Sequence, residues 1–326
     1  MRSDLAMTGR HDAPVVVVTG ASSGIGRATA LAFAARKARV VLVGREAAAL
    51  EVVVRCCQAH GAEAVACAAD LTDHAAVERI RDTAAAAYGR IDVWVNCAAV
   101  LLLGRFEDIP LDAFRRVVET NFLGCVNGSR VALSQFRTQG DCGVLINTSS
   151  MLGMMGEPFA SPYVASKFAI RGFTACLRQE FEQVPGIHIS AVMPWAVDTP
   201  IFSKLGNVFG RRARSIFPVI ASERVAQTIV SLSERPRREV IVGASGYMLS
   251  VALKFAPMLV ERVVARAAPA VQFEPGCESP TTGNLFAPTG PYSVAGGWKK
   301  YWADRALRLF RPNFREIIKK FRRHLT

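Results

Sequence analysis

The stretch that decides the fold is VVVVTGASSGIG, residues 15–26. Four valines form an apolar run of strand length, a glycine-rich turn follows, and an Ala-rich segment of helical length continues from Arg27. In such a unit the first N–H groups of the helix have no partner within the helix and lie next to the turn. The stretch therefore predicts a strand–turn–helix unit whose turn can hold an anionic group such as a phosphate.

Six further strand candidates follow, separated from one another by segments of helical length. They are residues 40–43, 64–68, 93–96, 143–148, 188–193 and 239–242. Strands this apolar must be covered on both faces, and regular alternation of strands and helices is typical of a parallel sheet. We predict an α/β fold, a doubly wound parallel sheet (Rossmann fold), over residues 1–245.

The composition is that of a globular protein. Of the 326 residues, 51% are hydrophobic and 21% are charged, which excludes a disordered or collagen-like chain. The eight cysteines form no pair or cluster with zinc spacing, so we expect reduced core residues and no metal site. The first 14 residues lack an apolar signal region, and no uncharged apolar stretch of spanning length follows. We predict a cytoplasmic protein.

The sequence pattern changes after residue 245. We predict an amphipathic helix over Tyr247–Ala267, an irregular loop over residues 269–297 with five prolines, and a basic amphipathic helix over Pro312–Leu325. The net charge of +13 is concentrated at this end, since residues 299–326 carry +8. We describe residues 246–326 as a C-terminal extension.

Two interpretations of the extension remain open. Basic amphipathic helices can lie in the headgroup region of an anionic membrane, which would make the protein peripheral on that membrane. They can equally cover apolar surface on the same or a neighbouring subunit, with their cations in solvent. The stripe of Phe and Ile in residues 312–325 argues against a solvated nucleic-acid-binding arm, so we predict no nucleic-acid partner.

Polar residues follow several of the predicted strands. Asp70 and Asn96 lie at strand ends, and Ser150 follows the strand 143–148. Tyr163 and Lys167 are four residues apart at the start of a predicted helix and share one face. Because ligands bind at the carboxyl ends of strands in open α/β sheets, we expect these side chains to gather there.

The set resembles the short-chain dehydrogenase/reductase family, in its shorter, non-extended branch. The pieces occur in the family's order and spacing over about residues 13–245: TGASSGIG at 19–26, Asp70, NCAA at 96–99, Asn121, and Ser150 thirteen residues before YVASK at 163–167. The resemblance implies a nicotinamide dinucleotide cofactor. It also implies hydride transfer between this cofactor and a carbonyl or secondary alcohol.

The resemblance also implies roles for four residues. Tyr163 is the expected general acid/base, and Lys167 favours its phenolate and holds the nicotinamide ribose. Ser150 would orient the substrate oxygen, and Asn121 would hold a water that links Lys167 to solvent. The implied cofactor contacts are Gly20, Ser22, Ser23, Gly24, Ile25, Gly26, Arg45, Asp70, Asn96, Tyr163, Lys167, Pro194, Val197 and Thr199.

Two neighbouring residues predict the choice of cofactor. NAD enzymes place an acidic side chain after the second strand, where it accepts from the ribose 2′-hydroxyl. Here Gly44 takes that position, and Arg45 follows with a guanidinium suited to a 2′-phosphate. We predict NADP(H).

The sequence departs from the family pattern in two places. Cys97 and Ala99 replace an Asn and a Gly, which are mild changes near the strand end. Trp195 replaces the Gly that follows Pro194 in the family, and two outcomes remain open. Its indole either narrows the pocket and stacks on the substrate, or packs outward under the lid.

The substrate lid is expected over about residues 199–222. Its apolar side chains favour a lipophilic small-molecule carbonyl or alcohol. Its three arginines, Arg211, Arg212 and Arg214, either bind an acidic group or form a solvated turn. A dinucleotide-binding regulatory or scaffold protein with little catalysis is the alternative function. The intact set of Asn121, Ser150, Tyr163 and Lys167 speaks against it.

The assembly is predicted to be a homodimer or homotetramer. In the family, the helices corresponding to residues 111–136 and 163–184 pair across a two-fold axis. Seven apolar residues on these helices are candidates for that interface, and the alternative is that all of them lie in the core. They are Phe114, Val117, Val118, Phe122, Phe168, Phe173 and Leu177.

Overall fold

The central sheet of the computed structural model, which describes residues 13–306, contains seven parallel strands. The strands in chain order are β1 (Val15–Thr19), β2 (Arg39–Gly44), β3 (Ala64–Ala68), β4 (Val93–Asn96), β5 (Leu102–Leu103), β6 (Gly143–Thr148), β7 (Ile187–Pro194), β8 (Val197–Asp198), β9 (Gly206–Asn207), β10 (Ile220–Ala221) and β11 (Glu239–Val242). The sheet order is β11-β7-β6-β4-β1-β2-β3, and β5 pairs with β9 and β8 with β10 outside it. The strand order reverses beside β1, where open α/β sheets bind their ligands.

Helices cover both faces of the sheet. They are α1 (Gly24–Ala34), α2 (Ala47–Ala59), α3 (His74–Tyr88), α4 (Leu111–Val118), α5 (Gly124–Thr138), α6 (Ser161–Glu180), α7 (Ile201–Lys204), α8 (Ser222–Glu234), α9 (Ala244–Phe255) and α10 (Pro257–Gln272). Successive β1 valines point to opposite faces, so Val16 packs with α1, α2 and α8, whereas Val17 packs with α3, α5 and α6. The predicted doubly wound fold is confirmed.

The C-terminal extension differs from the prediction. The single helix predicted over Tyr247–Ala267 is wrong, because α9 ends at Phe255 and α10 begins at Pro257. Proline has no N–H to donate and disfavours a helical conformation in the residue before it, so it starts a helix more readily than it continues one. The predicted loop also starts later, since α10 continues past Pro269 to Gln272. The helix predicted over residues 312–325 lies outside the described residues.

An apolar face of α9 and α10 is open to solvent. The exposed fractions of its side chains range from 41% to 79%: Tyr247, Met248, Val251, Phe255, Met258, Leu259 and Val263. Lys254, Arg262 and Arg266 are exposed on the same two helices. Within the described part of the chain, no helix combines the length and hydropathy needed to cross a membrane.

Candidate active site

A cavity of about 470 Å³ lies at the carboxyl ends of the central strands. All of the predicted site residues line it except Asn96 and Asn121. The glycine-rich turn forms one part of its wall, and residues of the lid and the C-terminal extension form another part. A single cavity therefore joins the predicted cofactor residues to the predicted catalytic residues.

The glycine-rich turn is packed as closely as a backbone allows. Gly20 has a φ of +69°, and a Cβ there would lie 2.8 Å from the Cα of Ala98. A Cβ on Gly26 would lie 2.3 Å from the carbonyl oxygen of Gly20. Only glycine fits these two positions, and the first turn of α1 therefore lies directly against the cavity. This cradle fits the pyrophosphate of a dinucleotide, which binds at such helix N-termini.

A segment of the extension, residues 284–293, lies across this turn. The Gly24 amide donates to the carbonyl of Ser293 at 2.8 Å, and the Arg27 guanidinium donates to the Tyr292 carbonyl. Arg45 lines the cavity as predicted, but its Nη1 and Nη2 donate to the carbonyls of Leu285 and Asn284 at 3.1 and 2.6 Å. Backbone oxygens of the extension thus occupy donors at the predicted cofactor site.

Lys204, which sequence reasoning missed, is a buried cation in the same wall. Its side chain is 8% exposed, its Nζ donates to the Ser23 hydroxyl at 2.9 Å, and it lies 5.1 Å from the ring centroid of Tyr292. The ion pairs found among residues 13–306 do not include it. Burial, followed by repulsion from Arg45, lowers its pKa to about 8. A buried cation without a counter-ion favours binding of an anion.

Asp70 lines the cavity beside these cations. Its Oδ2 accepts from Arg116 at 2.6 Å, and its Oδ1 accepts from the amide and hydroxyl of Thr72 at 3.0 and 2.9 Å. Burial alone would raise the pKa of Asp70, but the bonds from Thr72 and Arg116 outweigh it and hold the pKa below its ordinary value. Asp70 is therefore a fixed carboxylate at the rim of the cavity.

The predicted catalytic residues meet on the other side of the turn. Helix α6 begins at Ser161 with Pro162 in its first turn, which places Tyr163 in that turn and Lys167 one turn later. Ser150 and both α6 side chains line the cavity. The Nζ of Lys167 donates to the carbonyl of Thr148 at 2.9 Å and lies 5.4 Å from the ring centroid of Tyr163.

Burial sets the protonation states of this pair. It raises the pKa of Tyr163 to about 12, against a smaller lowering by the Ser150 hydroxyl. It lowers the pKa of Lys167 to about 8. In the protein alone, burial thus outweighs any stabilisation of the phenolate by the Lys167 ammonium, and the role expected for Lys167 stays a prediction. At neutral pH the site holds a phenol and an ammonium.

Asn121 and Asn96 lie outside the cavity lining. The Asn121 side chain is 1% exposed and bonds to both backbone groups of Val100 and to the hydroxyl of Ser166 at 2.8–3.1 Å. Asn96 donates to Asn147 at 2.8 Å and accepts from the indole of Trp94 at 2.9 Å. Both side chains hold structural elements together. The water-holding role expected for Asn121 and the cofactor contact expected for Asn96 stay predictions.

Two of the three lid arginines, Arg211 and Arg214, fit neither expected interpretation, whereas Arg212 is exposed as in a solvated turn. Arg214 is 6% exposed and donates from Nε to the carbonyl of Val271 at 3.0 Å, and its Nη2 donates to the carbonyl of Ala270. Arg211 donates to the carbonyl of Glu274 at 2.9 Å. Cations suit the carbonyl groups at a helix C-terminus, so these two arginines fasten the lid to the end of α10.

Trp195 combines the two outcomes left open for it. Its side chain lines the cavity, and its indole N–H donates to the lid carbonyl of Pro218 at 2.8 Å. The indole therefore narrows the cavity while its polar end is held by the lid. Two further lining residues that sequence reasoning missed, Glu157 and Gln272, hydrogen-bond to each other. They are 115 residues apart, and no local pattern relates them.

The chain is similar in sequence and in fold to known oxidoreductases. The chain is 33% identical to the uncharacterized oxidoreductase YxnA of Bacillus subtilis (strain 168) over 77% of this chain and 71% of that protein. It is 32% identical to a 3-ketodihydrosphingosine reductase of Bos taurus over 76% of this chain and 75% of that protein. A short-chain dehydrogenase/reductase from Burkholderia phymatum, solved in complex with NAD, has the same fold, with a TM-score of 0.68 at 24% identity over 77% of this chain and 95% of that one.

A family model described as short chain dehydrogenase matches residues 14–207, more than half of the chain. That range begins just before β1 and ends in the lid, and it contains the glycine-rich turn and the Ser150, Tyr163 and Lys167 group. The match and the cavity thus lead to the same conclusion: the chain belongs to the short-chain dehydrogenase family and is an oxidoreductase of that family.

Proposed function

We propose that this protein is an NADP(H)-dependent oxidoreductase that interconverts a carbonyl and a secondary alcohol on a lipophilic substrate. The observation that carries the proposal is the shared cavity, where Ser150, Tyr163 and Lys167 lie with the glycine-rich turn. The wall contributed by α9 and α10 is apolar except for Gln272, which suits a lipophilic chain. The name of the Bos taurus relative, a reductase of a keto compound, supports the same reaction type.

The mechanism assigns each polar group a task. A bound nicotinamide cofactor supplies or accepts the hydride. The hydroxyl of Ser150 holds the carbonyl oxygen, and the phenol of Tyr163 donates a proton to it. The ammonium of Lys167 stabilises the tyrosinate left behind. Because Tyr163 keeps its proton at neutral pH, its phenol is ready to act as the acid in carbonyl reduction.

A kinetic screen tests this function. Purified protein and NADPH should reduce at least one of a panel of long-chain ketones, and Tyr163→Phe should lower the rate by ~10²–10⁴. The same variant should bind NADPH with nearly unchanged affinity, because it loses only a hydroxyl. Full activity of Tyr163→Phe contradicts the assigned role. Tight NADPH binding with no turnover of any carbonyl would favour the alternative, a dinucleotide-binding regulatory protein.

The cofactor preference rests on Arg45 and Lys204. Both are cations in the cavity wall, and Lys204 lacks a carboxylate partner among the described residues. A 2′-phosphate could replace the carbonyls of residues 284 and 285 as the acceptor for Arg45, a charge-assisted bond worth ~1.5–3 kcal/mol. Arg45→Ala should therefore raise the Kd of NADPH at least ~10-fold and leave the Kd of NADH nearly unchanged. Equal wild-type affinities for both cofactors contradict this preference.

We also propose that the protein docks on an anionic membrane through α9 and α10. Their exposed apolar face carries Phe255 and Met258 at 79% and 66% exposure, next to Lys254 and Arg262. The face continues into the cavity, because Val263 belongs to both. A lipophilic substrate could therefore pass from the bilayer to the site without crossing water.

Vesicle sedimentation tests the membrane proposal. The wild type should sediment with vesicles of phosphatidylcholine and phosphatidylglycerol, and Phe255→Ser/Met258→Ser should not. Val52→Ser is the matched control, since Val52 is an exposed apolar residue on α2, away from this face. If the double variant binds as the wild type does, the helices are not the contact. In that case the predicted basic helix of residues 312–325 is the next candidate.

The predicted homodimer or homotetramer stays a proposal, with fewer candidate residues for its interface. Val117 and Leu177 are buried within the chain, and Phe122 packs edge-on against Phe173 with 6.0 Å between ring centroids. Phe168 is 44% exposed, and Phe114 and Val118 are half-buried, so these three side chains stay available to a second copy. We propose a homodimer or homotetramer that uses this face of α4 to α6. Light scattering at micromolar concentration should show it, and a monomer there would contradict it.

A further inference from the structure

Two polar side chains interrupt the apolar wall at the end of the cavity formed by the loop 154–160 and α10. These two elements contribute nine lining residues, and seven of them are apolar: Met155, Ala160, Val263, Val264, Ala267, Ala268 and Val271. The remaining two are Glu157 and Gln272. Neither belongs to the cofactor turn or to the Ser150, Tyr163 and Lys167 group, so the mechanism above does not use them.

The pair leaves a buried hydrogen-bond acceptor unused. The Nε2 of Gln272 donates to the Oε1 of Glu157 and, at 3.3 Å, to the carbonyl of Pro158. These bonds fix the orientation of the amide, since its oxygen would otherwise face the carboxylate. Gln272 is 4% exposed, and within residues 13–306 its Oε1 has no hydrogen-bond partner. Buried polar atoms in native proteins are nearly always paired, so an orphaned acceptor beside a cavity indicates a missing donor.

The surrounding contacts hold Gln272 in place. The Arg214 amide donates to its carbonyl at 2.8 Å, and the Arg214 guanidinium is bonded to the two preceding residues of α10. The next residue, Phe273, is 1% exposed and stacks on Phe209 with 3.8 Å between ring centroids. The acceptor is therefore preorganised at a fixed place in the wall, as a binding site requires.

The carboxyl of Glu157 adds a second acceptor. Burial raises its pKa to about 7, and the bond from Gln272 only partly offsets this. None of the ion pairs within the described range involves Glu157. A donor group on a ligand would supply the partner that the wall itself does not provide.

We propose that Glu157 and Gln272 form a subsite for a hydrogen-bond donor, an ammonium or hydroxyl group, carried on the lipophilic carbonyl substrate. The proposal rests on the proposed function, because it takes the cavity to be the substrate site. It adds that the substrate is not a plain hydrocarbon chain. One polar group must lie at a set distance from the reacting carbonyl, and the length of the cavity between Tyr163 and Gln272 sets that distance.

A matched set of ketones tests the subsite. Straight-chain ketones of equal length carry an amino group, a hydroxyl group or hydrogen, and the substituent is moved along the chain one carbon at a time. The wild type should prefer a donor at one position by about 10- to 100-fold in kcat/KM. Gln272→Leu should lower kcat/KM for the preferred donor-bearing ketone far more than for the unsubstituted ketone, and so remove that preference. Met155→Leu, a volume-conserving change in the same wall, is the control.

A second variant identifies the donor. Glu157→Gln removes the charge but keeps an acceptor. It should therefore lower kcat/KM for an amino ketone by about 10-fold or more and leave kcat/KM for a hydroxy ketone nearly unchanged. A loss confined to the amino ketone identifies an ammonium as the donor, and a loss confined to the hydroxy ketone identifies a hydroxyl; both results support the subsite. The subsite is overturned if the wild type shows no preference for a donor at any position, or if Gln272→Leu lowers kcat/KM equally for all three ketones.

The binding arm separates this proposal from the proposed function. Calorimetry with the corresponding alcohols measures affinity without turnover, and Tyr163→Phe should retain the preference for a donor. If no ketone is reduced but a donor-bearing alcohol binds more tightly to the wild type than to Gln272→Leu, the proposed reaction fails and the subsite stands. If ketones are reduced without any donor preference, the reaction stands and the subsite fails.

Discussion

The protonation states of Tyr163 and Lys167 predict the pH dependence of carbonyl reduction. The rise in the pKa of Tyr163 from 10.0 to about 12 favours the phenol by about 3 kcal/mol, so this proton donor stays a neutral phenol across the working range. Lys167, with a pKa lowered to about 8, is the group that titrates. We expect kcat/KM for a ketone to be constant below about pH 7 and to fall toward tenfold per unit above about pH 8, as the ammonium is lost.

The rate at which the absorbance of the reduced nicotinamide decreases, measured at a series of pH values from about 6 to 10, gives this profile. Lys167→Arg is the control, because a guanidinium stays protonated throughout and should flatten the alkaline fall. An ultraviolet titration of the wild type against Tyr163→Phe provides a readout without catalysis, and it should detect no Tyr163 phenolate below about pH 10. A reduction rate that rises steadily through pH 8, or a phenolate that forms near neutral pH, would refute the reasoning.

Two further predictions concern the framework of the site. Gly26→Ala places a Cβ 2.3 Å from a backbone oxygen, so it should abolish measurable NADPH binding in a fluorescence titration; Gly172→Ala, where a Cβ meets nothing within 4 Å, should bind normally. Arg214→Ala should lower the free energy of unfolding by about 2–3 kcal/mol in chemical denaturation, because it leaves carbonyls at the end of α10 without donors. Arg212→Ala, at an exposed neighbouring position, should change it by less than about 0.5 kcal/mol.

The fold was predictable because its signals are local. The strands at 64–68, 93–96 and 143–148 have the predicted bounds, since short apolar runs between helical segments leave few alternatives. The helix break at Pro257 was missed because the apolar stripe continues on both sides of it. A proline within a periodic apolar pattern marks a helix boundary, and a prediction from the pattern alone does not detect that boundary.

The candidate site was predictable only where residues follow strands or share a helix turn. Ser150, Tyr163 and Lys167 satisfy that condition. Lys204 reaches Ser23 across 181 residues, and which lid side chain turns inward depends on how β9 pairs with β5. Such contacts follow from tertiary packing, and one sequence carries no periodic signal for them.

The wall of the cavity has a consequence for how this protein can change. The part of the chain that matches the family ends at residue 207, whereas Leu249, Val264 and Val271 lie beyond it and still line the cavity. A substantial part of the cavity wall is thus encoded downstream of the residues proposed for the chemical step. Mutation or exchange of the distal stretch can alter which molecules are accepted without touching a proton donor or a cofactor contact. Directed evolution of substrate range in this protein should therefore begin at α9 and α10.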